Sequence, residues 1–489
     1  MGRLLVCVAL AARDTAEALA AMRRAAASGA DVVELRLDLM GSFDLEALLV
    51  DRPLPVIVTC RPERAGGRYA GPEEERLVIL QRALALGAEH VDVEPDVVHL
   101  LHGYGSGKLI VSHHDSSGLP LDLALLYRQL SGLGADIVKI AVPAERIEDN
   151  LAIFDLLRQA KRPTIALAMG EAGALSRILA GRFGAYLTFA APDGDAGTAP
   201  GQIPLSDMLG PYRAHEIGGE TRLYGVMANP VGHSLSPAIH NAAFRECGLD
   251  AVYLPLLVEE PVSFLRRFTP LGFGGYSVTI PHKQAVIAAL DEIEPLARRI
   301  GAVNTIVVRD GRLCGYNTDA VGAIQSIEEA LPECMALESA HALLIGAGGL
   351  ARALAFGLTD RGVSLTIANR SVERAQALAK EVDAAYVPLV EMARVRVDLL
   401  LQTTSVGMHP NAEESVVPRD MLRRGLVVYD AVYNPLETRL LREASEAGCL
   451  TVSGLGHFIN QAARQFELWT GLPAPRELMR RTMLARLGR

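Results

Sequence analysis

Asp136-Ile137-Val138-Lys139-Ile140-Ala141-Val142 is almost wholly apolar and rich in β-branched residues, with Gly134-Ala135 before it and Pro143 after it. A short apolar run bounded by breakers reads as a strand covered on both faces, the pattern of a parallel sheet. Its one lysine has two readings. In one, the stem packs and the ammonium reaches water. In the other, the amine is enclosed and attacks a ketone to form a Schiff base. On this strand alone the first is the commoner fate, because fully buried lysines are rare. The neighbouring strands reverse that preference.

Apolar strands at about 4–10, 31–38, 55–60, 90–94, 108–114, 136–142, 163–169 and 186–190 alternate with helical stretches such as 72–87 and 121–133. Eight βα units of this size match a (β/α)8 barrel, whose catalytic groups lie at the carboxyl ends of the strands. The polar residues fall where that rule puts chemistry. Glu34 and Arg36 lie in the second strand, Arg61 follows the third, and Asp92 and Glu94 lie in the fourth. His113 and His114 close the fifth, and Lys139 is in the sixth. A barrel core needs no such charges, so their gathering near one rim with a lysine points to an active site.

Asp193 to Gln202 is loop material, either a linker or a lid over the barrel mouth. A short helix at 204–209 closes the barrel, and Gly218-Gly219 begins a link. A second α/β pattern follows, with strands at 224–228, 252–257 and 276–280 and a hairpin of 304–308 with 313–316 turning on Asp310-Gly311. In a third unit a strand at 341–345 runs into Gly346-Ala347-Gly348-Gly349-Leu350-Ala351 and a helix at 352–361, with further strands at 364–368, 398–402 and 426–430. This context makes the glycine turn a dinucleotide site: Gly346 permits the tight turn and Gly348 lets backbone N–H groups approach a pyrophosphate. The next strand ends in Asn369-Arg370-Ser371, where an NAD site carries an acid; an arginine suits the 2′-phosphate of NADP(H).

At 489 residues the chain exceeds one ordinary core. The expected division is a barrel at 1–215, a substrate domain at 222–325 with 457–489 packing back on it, and a Rossmann NADP-binding domain at 338–456. The fold class is therefore α/β, a barrel fused to a two-domain dehydrogenase. A net charge of −9 without any basic run argues against nucleic acid. No apolar run is long enough to span a bilayer. Residues 4–12 have the apolarity of a signal-peptide core, but only Arg3 precedes them and an amphipathic helix follows directly. Six scattered cysteines without a CxxC pair suit reduced thiols, so the expected location is cytoplasmic. No metal-ligand pattern is visible, and the oligomeric state is not legible.

The barrel resembles the type I 3-dehydroquinate dehydratases through Glu34-Leu35-Arg36-Leu37-Asp38, Thr59-Cys60-Arg61-Pro62, Ser112-His113-His114-Asp115, the Lys139 strand and Ala199-Pro200-Gly201-Gln202. The remainder resembles the shikimate dehydrogenases. The matching residues are Asn229-Pro230-Val231-Gly232-His233-Ser234-Leu235-Ser236-Pro237, Ser277-Val278-Thr279-Ile280-Pro281-His282-Lys283, Gly301-Ala302-Val303-Asn304-Thr305, Asn317-Thr318-Asp319 and the glycine turn with Asn369-Arg370. Nearly the whole chain is covered, and the order is similar to that of the fused bifunctional family performing two consecutive shikimate-pathway steps.

The first resemblance implies Lys139 as the Schiff-base lysine and His114 as general acid/base, with His113 its neighbour. It puts Glu34, Arg36, Arg61 and Arg177 at the substrate and Thr198 and Gln202 on a closing loop. The second implies Lys283 and Asp319 as the catalytic pair, with Ser234, Ser236, Thr279, Asn304, Tyr433 and Gln461 around the substrate's carboxylate and hydroxyls. Three positions depart from the family patterns. Ala65 stands where a glutamate often orients the histidine (Glu63 lies nearby), Ser371 replaces a common Thr, and His457 replaces a usual Met. Two alternatives have to be weighed. Quinate oxidation by the second half is disfavoured by the paired Ser234 and Ser236. A degenerate ligand sensor is disfavoured because Lys139, His114, Lys283 and Asp319 are all present.

Overall fold

Side chains alternate across a strand, so Ile137, Lys139 and Ala141 must share a face. A computed structural model describes every residue except 1, 2, 51, 116, 195, 196, 233, 333, 334 and 489. His233, Cys334 and the loop residues Asp195 and Ala196 therefore lie outside the described residues. Eight parallel strands form the first sheet: β1 (Leu5–Leu10), β2 (Val32–Arg36), β3 (Val56–Thr59), β4 (His90–Val93), β5 (Lys108–His114), β6 (Ile137–Pro143), β7 (Thr164–Met169) and β8 (Leu187–Ala190). Their order is β7-β6-β5-β4-β3-β2-β1-β8. The ring nearly closes: at the seam the Tyr186 N–H donates to the Thr164 carbonyl at 2.8 Å. The apolar start of the chain is thus a barrel strand.

Inward-facing Cys7, Ala9, Val32, Ile57, Ile110, Ile137, Ala141, Ile165, Leu167, Leu187 and Phe189 fill the barrel as one buried cluster. Ile137 and Ala141 flank Lys139 in that cluster, so strand parity drives the lysine into the barrel.

The later strands are β9 (Arg222–Ala228), β10 (Ala251–Leu257), β11 (Phe273–Val278), β12 (Glu292–Ile293), β13 (Thr305–Arg309) and β14 (Arg312–Tyr316). β11, β13 and β14 form an antiparallel run, and β12 adds to it in parallel. Asp310 and Gly311 both have positive φ, 50° and 78°, as a two-residue I′ hairpin turn requires. β11 begins three residues earlier and ends two residues before the expected 276–280. Its glycines are the reason: a Cβ on Gly274 would lie 2.8 Å from Tyr224, and one on Gly275 would lie 2.2 Å from Trp469. They make room for aromatic rings, and beyond Val278 the chain turns, with the His282 N–H donating to the Thr279 carbonyl.

The third sheet is wholly parallel, ordered β17-β16-β15-β18-β19-β20. Its strands are β15 (His341–Ile345), β16 (Ser364–Asn369), β17 (Ala385–Pro388), β18 (Leu399–Gln402), β19 (Val427–Asp430) and β20 (Leu450–Ser453). This is the doubly wound dinucleotide-binding order, with the crevice outside β15. β12, β17 and β20 are two to four residues long and largely on the surface, so no buried apolar run marks them in the sequence. The helix after the glycine turn spans Gly349–Thr359, three residues earlier than expected, with extended Gly348 as its N-cap.

The chain divides into two compact units, Met1–Leu223 with Ala228–Ser234 and Asp250–Glu260, and Tyr224–Met227 with Leu235–Leu249 and Pro261–Arg489. Among the described residues no helix is long and apolar enough to cross a membrane.

Within the second unit, helices Thr318–Glu328 and Gly454–Thr470 cross closely. A Cβ on Gly322 would sit 2.5 Å from the Gln461 backbone nitrogen, and one on Gly456 would sit 2.4 Å from Ser326 Oγ. Gly322→Val therefore lowers the stability of this unit by about 1–3 kcal/mol, the usual cost of overpacking. Scanning calorimetry should show the unfolding transition of this unit shifted down and that of the barrel unchanged.

Candidate active sites

Lys139 Nζ lies 3.0 Å from Glu34 Oε1 and 2.9 Å from Asp92 Oδ2, and its side chain is 4% exposed. A buried cation is tolerated only when paired and hydrogen-bonded, and the pairing continues outward. Thr59 Oγ1 donates to Glu34 Oε1 at 2.9 Å, and Ser112 Oγ donates to Asp92 Oδ1 at 2.7 Å. The Arg61 guanidinium reaches that same Asp92 oxygen at 2.9 Å. Phe189 supplies an aromatic face 4.5 Å from Nζ. Burial alone pushes the Asp92 carboxyl up, but the Arg61 and Lys139 cations outweigh it and hold it well below the usual range.

Arg61 also donates to His114 Nδ1, leaving Nε2 as the protonated ring nitrogen. Burial, then the Arg61 and Lys139 charges, push the His114 imidazole well below its ordinary value, so the ring is neutral. Ala65 lines the cavity, whereas Glu63 is exposed and absent from the lining. The missing glutamate is thus not replaced by Glu63: Arg61, itself braced by Asp92, holds the histidine.

One cavity of about 450 Å³ is lined by Glu34, Arg36, Arg61, His114, Lys139, Arg177, Thr198 and Gln202. All eight expected barrel residues meet there. Arg36 pairs with Asp38 at 2.8 Å. Arg177 is 1% exposed, and its Nε and Nη2 have no partner among the described residues. Burial pushes this guanidinium down to about 10. The Thr198 N–H donates to Gln202 Oε1 at 2.8 Å, and the Gly170 N–H donates to the Pro200 carbonyl at 3.1 Å, so residues 198–202 belong to the cavity wall rather than to a linker.

Two rim residues go elsewhere. Glu94 pairs with buried Arg76 at 2.7 Å and does not line the cavity, because β4 ends at Val93 and alternation stops there. His113 has the opposite strand parity to His114 and is also absent from the lining. Asp92 was visible in the sequence as a rim acid, but no motif singled it out as the centre of the lysine's network.

In the second unit, Lys283 Nζ lies 2.5 Å from Asp319 Oδ2. Asp319 opens a helix whose N-cap is Asn317, with the Asn317 side chain accepting from the Ala320 N–H. Burial raises the Asp319 carboxyl, but Lys283, His457 and a hydrogen bond from Asn304 bring it below its ordinary value. Asn304 is buried and tied to Thr318: its Oδ1 accepts from the Thr318 N–H at 2.7 Å. Gln461 is nearly buried and donates to the Phe458 carbonyl at 3.0 Å. Tyr433 is half-buried and packs its ring on Phe458 at 4.9 Å. Ser236 and Thr279 are half-buried as well, and so is Ser234, which belongs to the first unit. Thr318, which no motif argument singled out, locks Asn304 beside the acid.

The glycine turn fits a dinucleotide. Gly346 has φ 121°, and a Cβ there would meet Thr403 Oγ1 at 2.6 Å, whereas Cβ atoms on Gly348 and Gly349 would meet nothing within 4 Å. Open space thus faces the first N–H groups of the helix, the position favoured by a pyrophosphate. Ala347, Leu350 and Ala351 complete the turn, and Ala351 is fully buried against the sheet. On the adjacent strand Asn369 Nδ2 donates to the Ser371 carbonyl at 3.0 Å, Ser371 caps the next helix, and Arg370 is exposed.

A lysine enclosed in a barrel and a lysine–carboxylate pair in a chain that also carries a dinucleotide-binding sheet define a two-headed enzyme, a lyase joined to a reductase. Family profiles match in the same order: type I 3-dehydroquinase over residues 6–218, shikimate dehydrogenase substrate-binding domain over 226–306, shikimate/quinate 5-dehydrogenase over 328–426 and shikimate 5′-dehydrogenase C-terminal domain over 454–484. The chain is 42% identical over 501 residues to the chloroplastic bifunctional 3-dehydroquinate dehydratase/shikimate dehydrogenase of Arabidopsis thaliana, covering 97% of this chain and 83% of that protein. It is 44% identical over 276 residues to a Bacillus cereus shikimate dehydrogenase (NADP(+)), covering 55% of this chain and 99% of that one. The solved Thermus thermophilus shikimate 5-dehydrogenase in complex with NADP(H) and shikimate is 36% identical with a TM-score of 0.50, covering 54% of this chain and 99% of its own. The chain belongs to the family of bifunctional 3-dehydroquinate dehydratase/shikimate dehydrogenases.

The neutral His114 makes barrel stability pH-dependent. Its folded pKa lies below the unfolded value of about 6.5, so as pH falls the unfolded chain takes the proton first and stability drops. Asp92, also depressed, adds a further loss nearer pH 4. His114→Gln should flatten the decline between about pH 6.5 and 5 and leave the lower part intact, as read from urea midpoints of the barrel.

Proposed function

We propose that the barrel residues dehydrate 3-dehydroquinate to 3-dehydroshikimate and that the reductase residues convert this to shikimate with NADPH. The observation that carries the reading is the buried Arg177 in the same cavity as Lys139, its Nε and Nη2 without a partner among the described residues: a carboxylate supplies the two acceptors they lack. Attack on the substrate ketone requires Nζ to shed its extra proton, and Glu34 and Asp92 are the acceptors in contact. The Schiff base withdraws electrons and acidifies the adjacent C–H. His114, neutral at working pH, takes that proton on Nδ1, the ring nitrogen without a hydrogen that Arg61 contacts in the free site, and returns one to the departing hydroxyl, which leaves as water. Hydrolysis of the Schiff base frees Lys139. Glu34, Arg36 and Arg61 hold the hydroxyls, and Thr198 and Gln202 close the cavity.

In the reductase, Lys283 protonates the oxygen of the reduced ketone, and Asp319 holds the lysine for that transfer. Ser234, Ser236, Thr279, Asn304, Tyr433 and Gln461 bind the carboxylate and hydroxyls. The paired serines favour shikimate over quinate as the ligand. Gly346 to Ala351 hold the pyrophosphate, and Asn369, Arg370 and Ser371 hold the adenosine phosphate. NADPH, when bound, supplies the hydride. Residues 1–215 form the lyase, 222–325 with 457–489 the substrate side of the reductase, and 338–456 the cofactor side. The work is done in the cytoplasm, consistent with free thiols at Cys7, Cys60, Cys247, Cys314 and Cys449.

Purified protein given 3-dehydroquinate and NADPH should form shikimate. Lys139→Ala should stop the first step and spare the second, and Lys283→Ala should do the opposite; separate assays of each step check this. Loss of both activities in either variant would break the division of labour. Arg370→Ala should raise KM for NADPH by about tenfold, the value of one charged contact, and leave KM for NADH unchanged.

A further inference from the structure

His457 is a residue of the second unit whose chemistry the reaction above leaves unused. It is 9% exposed on the helix Gly454–Thr470, and it sits between two groups. Its Nδ1 lies 2.9 Å from the Tyr429 hydroxyl, and its Nε2 lies 3.9 Å from Asp319 Oδ1 with no hydrogen-bond partner among the described residues. Tyr429 is itself fully buried on β19. A buried hydroxyl must donate, and His457 Nδ1 is the acceptor within reach, so the tyrosine proton goes to Nδ1. The ring proton is then forced onto Nε2, facing the carboxylate. Burial pushes the ring down to about 4, and Lys283 opposes its protonation, while Asp319 favours it. At neutral pH it is an uncharged N–H donor.

The two oxygens of Asp319 are divided: Lys283 holds Oδ2, and Oδ1 faces the His457 N–H. At 3.9 Å no hydrogen bond is formed, but the dipole acts on the charge, and hydrogen bonds in ligand-free sites commonly tighten when substrate binds. The close crossing at Gly322 and Gly456 is what brings this ring to the acid. We propose that His457 is a positioning residue of the reductase, its tautomer set by Tyr429, whose Nε2–H secures the second oxygen of Asp319 so that the carboxylate keeps Lys283 aimed at the substrate oxygen. The inference rests on the reading of Lys283 and Asp319 as the catalytic pair. The charged and titratable groups facing the ring are Lys283, Asp319 and Tyr429, and Asp430 acts on Tyr429 from the same strand.

The test measures 3-dehydroshikimate reduction by the full chain across about pH 5.5–9.5, with dehydratase activity and the calorimetric transition of the second unit as checks on folding. His457→Leu removes the donor; His457→Gln keeps an N–H; Tyr429→Phe frees the tautomer. The expected result is a loss of about tenfold in kcat for His457→Leu at every pH assayed, with KM changed less than about twofold, because Asp319 has lost the partner of its second oxygen and no longer keeps Lys283 aimed. His457→Gln should recover most of kcat, and Tyr429→Phe should fall between. Equal losses in the Leu and Gln variants, or a loss in KM rather than kcat, would overturn the proposal in favour of packing. If Lys283→Ala retained reduction, the reading of the pair itself would fall; a dead Lys283→Ala beside a wild-type His457→Leu would sink the inference alone.

Discussion

Everything in the barrel answers to one constraint: a lysine ammonium taken out of water must be surrounded by negative charge. Glu34 and Asp92 provide it, and each is held in turn, Glu34 by Thr59 and Asp92 by Ser112 and Arg61. Removing one partner from such a buried set typically costs about 3–5 kcal/mol, because the remaining charge is stranded. The network is therefore a structural commitment. It also fixes the histidine, since Arg61, anchored by Asp92, is the group that contacts His114. What the network leaves over is Arg177, a buried guanidinium whose Nε and Nη2 have no partner among the described residues.

The reductase solves a smaller version of the same problem. Lys283 is partly exposed, so one carboxylate suffices, and the effort goes into holding that carboxylate. Asn304 and Thr318 lock one another beside it, and the helix bearing Asp319 is pinned by a glycine crossing that tolerates no side chain. The two sites thus differ in how charge is managed, by enclosure in the barrel and by bracing in the reductase.

Much of this was legible in the chain because period and parity are physical. The gathering of charged residues with Lys139 near one rim marked the barrel site, the family resemblance chose His114 over His113, and Asp310-Gly311 read directly as a hairpin turn. The misreadings also had physical causes. Glu94 keeps the parity of Asp92, but the strand ends before it and the side chain swings out to Arg76. Gly274 and Gly275 fell outside the strand expected at 276–280, yet they are strand residues emptied to admit Tyr224 and Trp469. The replacement for the absent glutamate at Ala65 could not be read, because Asp92 acts on the histidine through Arg61, a relay between strands that no local motif encodes. The role of Tyr429 beside His457 was hidden for the same reason.

The crossing of the helices Thr318–Glu328 and Gly454–Thr470 sets an order of maturation on the ribosome. The barrel has all eight strands once residue 190 has emerged, whereas Asp319 waits for a helix that begins at residue 454. At ordinary elongation rates that gap is on the order of tens of seconds. The nascent chain thus acquires its lysine-bearing core well before its reductase can be assembled.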